Sequence, residues 1–145
     1  MGARIIGGDR LNKKLGAFAR GLDLTADMEL AAEITRTDYV ERVQKIDGTR
    51  KETRYGPKRT VTVSAPGQAP NNDTGALIAG TGVAAVRKNA VAVFSSAEHA
   101  EHLENGTRKM KPRPALGPAF KATEKKVITA IAKAITRKMK GLMNG

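Results

Sequence analysis

Apolar residues recur at helical spacing in three stretches of this chain and alternate in two shorter ones. Leu11, Leu15, Phe18 and Leu22 follow Asp9, a capping residue type, and predict a first helix that Gly21 ends or bends. Leu24, Met28, Ala31, Thr35, Tyr39, Val43 and Ile46 form one stripe and predict a second helix from Thr25 to Ile46. Leu30 and Ile34 widen that stripe. Asp27, Glu29 and Glu33 sit in its first turns, where the helix dipole favours acids, and Asp47-Gly48 closes it. Near the other end, Phe120, Val127, Ile128, Ile131, Ile135, Met139 and Leu142 predict a long amphipathic helix from Pro118 to Leu142. Lys121, Lys125, Lys133, Arg137, Lys138 and Lys140 lie largely off its apolar face.

The middle of the chain reads differently. Residues 47–76 are rich in Gly, Pro, Asn and Asp at their far end. Within them "RTVTVS" alternates as a strand or one half of a hairpin does. Arg50, Lys51, Arg54, Lys58 and Arg59 surround Tyr55, so 47–72 is expected to be a basic arm or loop projecting from the domain. Residues 76–96 predict two strands with a turn near Arg87-Lys88-Asn89. Both faces of the second strand are apolar, which predicts helices on one side of the sheet and some other cover on the other. A short helix or strand is expected at 97–104. The sum is an α+β fold in one domain, residues 1–145. It has two N-terminal helices, a small antiparallel sheet with a long basic loop or hairpin arm, and a long C-terminal helix packed on the sheet.

Composition narrows the chemistry. Aromatics are only 3%, so aliphatic residues and Ala must fill the core, and so thin a core gains from burial against a partner. With no cysteine, disulfides and thiol catalysis are excluded. No apolar run approaches the roughly 20 residues that a membrane helix needs. The start, "MGARIIGGDR", lacks a signal-peptide apolar region, and a soluble protein made in the cytosol is expected. The net charge is +12, unevenly placed: residues 108–145 hold 11 Lys/Arg and one acid, residues 1–107 hold 15 and 13. The basic last quarter is expected to attract phosphates, including DNA without sequence preference, or an acidic protein surface.

No constellation supports an enzyme. "EHAEHLE" places His99 and His102 among acids, but the order is not that of the zinc proteases and there is no third His. Ser95 and Ser96 do not form a nucleophile elbow, and no glycine run is followed by Gly-Lys-Ser/Thr. No cofactor or metal is expected.

The most distinctive stretches are "APGQAPNNDTGAL" (65–77) and "ENGTRKMKPRPALGPAF" (104–120). In the first, Pro66 and Pro70 stiffen an extended segment and Asp73-Thr74-Gly75 suits a turn into an ordered element. In the second, Gly106 allows a tight turn, Pro112 and Pro114 hold an extended strut, and Pro118 suits the first turn of a helix. In this order the two resemble the tail-component family of tailed bacteriophages, also called neck or tail-completion proteins. That family typically shows Pro-x-Asp-Thr-Gly-x-Leu, then Glu-aromatic-Gly-Thr, a basic stretch, Pro-Phe-Leu-x-Pro-Ala and a final amphipathic helix. The matches here are Pro70, Asp73, Thr74, Gly75 and Leu77; Glu104, Gly106 and Thr107; and Pro114, Leu116, Pro118 and Ala119. Asn105 stands where an aromatic is usual and Ala115 where Phe is usual, so Phe120 is expected to fill the space beside Ala115.

The resemblance implies a non-enzymatic virion part, assembled in the cytoplasm of a bacterial host. It would form a ring of its own copies, a hexamer or a dodecamer, at the head–tail junction. Its neighbours would be a head-closure or connector protein on one side and a tail terminator or tail-tube protein on the other. A tail terminator capping the tube is the related alternative. A small basic DNA-binding protein is the alternative from another class. The matched residues, except Ala119, become candidate interaction residues, with Arg50, Lys51, Arg54, Lys58 and Arg59 as a basic arm. No membrane is implied.

Overall fold

The structure is a computed structural model describing residues 8–45, 48, 50–54 and 59–144. Its elements run α1 (Gly8–Gly21), α2 (Thr25–Gln44), β1 (Arg50–Arg54), β2 (Arg59–Val63), α3 (Ala76–Ala79), β3 (Thr81–Arg87), β4 (Ala90–Ser95), α4 (Ala100–Asn105) and α5 (Leu116–Met143). The fold is α+β, with two separate two-stranded antiparallel sheets. β1 pairs with β2 from Arg50↔Val63 to Arg54↔Arg59, and β3 pairs with β4 from Thr81↔Ser95, with an irregularity between Ala85 and Arg87.

α2 is the central element. Its expected stripe is its buried face: Ala31, Thr35, Tyr39 and Val43 are all inside, and Leu24 is buried just before the helix. Ile46 lies outside the described residues. One side of α2 carries the β3–β4 sheet and another carries α5 along most of its length. α5 therefore lies chiefly against α2, and reaches β4 only across a groove. Leu30 does not widen the buried stripe. It is 73% exposed, because it sits about 100° round the helix from Ala31.

Small residues make the α2–α5 seam. Ala119, Thr123 and Ala134 are buried on α5, opposite Ala31 and Thr35. Thr123 Oγ1 donates to Ala119 O at 2.8 Å, so at 2.8 Å it accepts from Thr35 Oγ1. A lone Thr123→Val leaves the Thr35 hydroxyl without its partner and is expected to cost about 1–2 kcal/mol in urea unfolding. Thr35→Val together with Thr123→Val should recover most of that loss, giving a clear coupling energy in a double-mutant cycle. At the end of the seam near the start of α2, Asp27 meets Arg137 and Lys138, the latter at 3.2 Å. The hydrogen bond from Lys138 holds the Asp27 carboxyl below the usual carboxylate range.

The apolar stripe expected on α5 is therefore only partly its buried face: Val127, Ile131 and Ile135 are half-buried. Phe120 is 46% and Ile128 59% exposed, and Met139 and Leu142 are also open. The seam admits only small side chains, so the large ones are displaced to its flank. Phe120 does not fill the space beside Ala115, which is itself buried in the main core with Tyr39, Val43, Leu77 and Ala119. Burial pushes the Tyr39 phenol up, although the hydroxyls of Thr81 and Ser95 oppose it.

The sheet also departs from expectation on one side. Val83 faces Val93 and both look toward α2. On the other face Phe94 is 43% exposed and rests on its cross-strand partner Gly82, where an added Cβ would come within 2.9 Å of the ring. Among the described residues no element covers this second face.

Candidate interaction site

The two matched motifs converge on one place. Pro70 is buried and Leu77 enters the main core, where Leu103 and Leu116 pack against it. Asn72 N–H donates to Val43 O at 3.0 Å and so fastens the first motif to the end of α2. Asn72 Oδ1 then accepts from Gly75 N–H at 2.9 Å, and Gly75 adopts φ 84° to start α3. Thr74 Oγ1 accepts weakly from Ala76 N–H at 3.5 Å, and Asp73 is exposed in the same turn. The 64–72 half of the expected arm thus runs back along the body, and the projecting part is the β1–β2 hairpin.

The second motif is a helix cap built from a distance. Glu104, on α4, accepts from the N–H groups of Ala115 at 2.9 Å, Leu116 at 3.1 Å and Gly117 at 2.7 Å. Pro118 follows and has no N–H to satisfy. Ala119 N–H already donates to Ala115 O at 3.0 Å. Every donor in the first turn of α5 is accounted for, and a carboxylate sits at the positive end of the helix. Gly106, at φ 76° and ψ 178°, turns the chain, and Thr107 closes the loop: its N–H donates to Met110 O at 2.7 Å and its Oγ1 accepts from Met110 N–H at 3.1 Å. Arg113 N–H donates to Leu103 O at 2.7 Å, and Gly67 N–H to Pro112 O at 3.0 Å, so the proline strut that ends at half-buried Pro114 is tied to both α4 and the first motif.

A cleft of about 360 Å³ lies where the motifs meet, between β2, the 70–77 segment, α4 and Arg113. His99 and His102 stand at its edge and are exposed. Among the described residues no cluster of metal-ligating side chains reaches three members. Glu104, Gly106, Leu77 and Leu116 thus have demonstrable work inside the chain, and the corner's shape is set by it.

The basic arm is only partly visible. Arg50 pairs with Glu52 at 3.0 Å on β1, Lys51 is exposed, and Arg54 and Arg59 are cross-strand partners at the end of the hairpin. Lys58 and Tyr55 lie outside the described residues. β1 and β2 contact mainly each other, while Val61, Thr62 and Val63 of β2 wall the cleft and Thr62 O accepts from Asn71 Nδ2 at 3.0 Å.

Sequence reasoning missed a second surface. A groove of about 440 Å³ runs between α2, α5 and β4, floored by Met28, Val91 and Val93 and walled by Phe120, Val127, Ile128 and Ile131. Glu124, the one acid of α5, stands on its rim beside Lys121. The signal was present as the row Ala119, Thr123, Ala130 and Ala134, small residues at helical spacing that claim the helix contact and leave the large ones outside it. No helix of the described residues is long and apolar enough to cross a membrane. Comparison with protein-family models, with curated proteins and with solved structures found no match to this chain.

Proposed function

We propose that this chain is a structural subunit of a tailed-phage virion, forming a ring at the head–tail junction that joins the connector to the tail. The observation that carries the reading is the open apolar groove between α2, α5 and β4. A lone soluble subunit gains nothing from leaving Phe120 and Ile128 beside water, whereas a subunit packed head-to-tail on its own copies buries them. Three further features support it. The two motifs follow the order of the neck and tail-completion proteins, the β1–β2 hairpin pairs mainly with itself, and the charge of +12 suits contact with DNA or with acidic neighbours. The role asks for shape and association, and no catalytic group is assigned. A tail terminator is the neighbouring reading.

Light scattering and negative-stain imaging of the purified chain test this. Closed rings are expected. Phe120→Glu with Ile128→Glu should yield a subunit with unchanged helical circular dichroism that no longer assembles. A chain that stays single at every concentration, and shifts DNA in a steeply salt-dependent way, would replace this reading with the DNA-binding one.

A further inference from the structure

Resting on that reading, we infer that the groove between α2, α5 and β4 receives helix α1 of the neighbouring copy. α1 is a helix without a place in its own chain. It has 14 residues, about the length at which an isolated helix is only marginal in water, yet it packs extensively on no other described element. Its apolar row is open, with Leu15 41% exposed and Phe18 only partly covered.

Its own groove does not take it. No α1 residue lines that groove, and the link from α1 to α2 is fixed by the β3–β4 turn. Asn89 does the fixing, in a left-handed conformation at φ 57°. Its Oδ1 accepts from Leu24 N–H at 2.7 Å, its Nδ2 donates to Leu22 O at 3.0 Å, and its N–H donates to Thr25 Oγ1 at 3.0 Å. Lys88 Nζ donates to Arg20 O at 3.4 Å, so the last turn of α1 is held as well. The end of α1 and its link to α2 are thus held by four hydrogen bonds with the β3–β4 turn, while the rest of α1 packs extensively on no described element.

The groove and the helix suit each other. Each offers aliphatic and Phe side chains that its own chain covers only in part. Lys13, Lys14 and Arg20 flank the apolar row of α1, and the groove's rim, though it carries Lys121, offers one of them Glu124, which pairs with no cation among the described residues. One copy thus gives a helix and takes a helix, a heterologous contact that propagates in one direction and closes as a ring.

The absence of native cysteine makes the test direct. Phe18→Cys and Ile128→Cys chains, each otherwise intact, are mixed and oxidised, and the doubly substituted chain is oxidised alone. The expected result is a covalent dimer from the mixture, little from either variant by itself, and a ladder of multimers from the double variant. Leu15→Cys with Ile128→Cys repeats the test at a second position. A double variant that closes on itself and runs as a monomer would place α1 in its own groove and overturn the inference. Cross-linking of Phe18→Cys to itself would overturn it by pairing α1 with α1. Rings on light scattering with no cross-link at either position would overturn it while leaving the ring reading standing; absence of any assembly would remove both.

Discussion

A Gly106→Ala chain is expected to lose about 3 kcal/mol or more of stability, measured by urea unfolding. Gly106 combines φ 76° with ψ 178°, a region that residues with a side chain scarcely enter. A Cβ built there would come within 2.8 Å of Met110 O and 2.9 Å of the Pro112 ring and nitrogen. All three are backbone or ring atoms of the loop that carries the chain from α4 to α5, where Met110 O is held by Thr107 N–H and Pro112 O by Gly67 N–H. Neither the backbone strain nor the clash has an easy way out. The loss would be a large share of the stability of a domain this size. A Gly106→Ala chain unfolding within a few tenths of a kcal/mol of the unaltered one would mean that this turn is not the structure's.

Glu104→Ala is expected to cost about 2–3 kcal/mol, again by denaturant unfolding. Three N–H groups at the start of α5 lose a charged acceptor together. Glu104→Gln should cost less, since its amide oxygen still accepts while its NH₂ meets donors. The order Ala below Gln below Glu separates the cap from mere packing, because Gln and Glu have nearly the same shape. A Glu104→Gln chain as stable as the unaltered one would show that charge at this helix end does not matter.

Much of this architecture can be read from spacing. The stripe of α2 was legible because its buried residues lie at ideal helical intervals and because Tyr39 and Val43 are large enough to mark the core. The β3–β4 turn was legible because Asn tolerates the left-handed conformation that a two-residue turn needs. The faces of α5 were not. Hydrophobic periodicity ranks residues by oiliness, while the contact with α2 is decided by size, and Ala119, Thr123 and Ala134 win it. The role of Glu104 was hidden for another reason. Its targets at 115–117 lie about a dozen positions away, beyond any local capping pattern, and only the folded loop brings them to one carboxylate. Of the matched motif positions, Leu77, Glu104, Gly106 and Leu116 have roles inside the fold, and a motif does not say whether the partner is the same chain or another.

The narrow seam between α2 and α5 has one more implication. Bulk added at Ala31, Ala119 or Ala134 would pry two helices apart, and the same movement would reshape the trough on their flank. Cohesion of the monomer and the shape of the trough proposed to receive a neighbour are written into one row of residues, so under that proposal selection on either is constrained by the other.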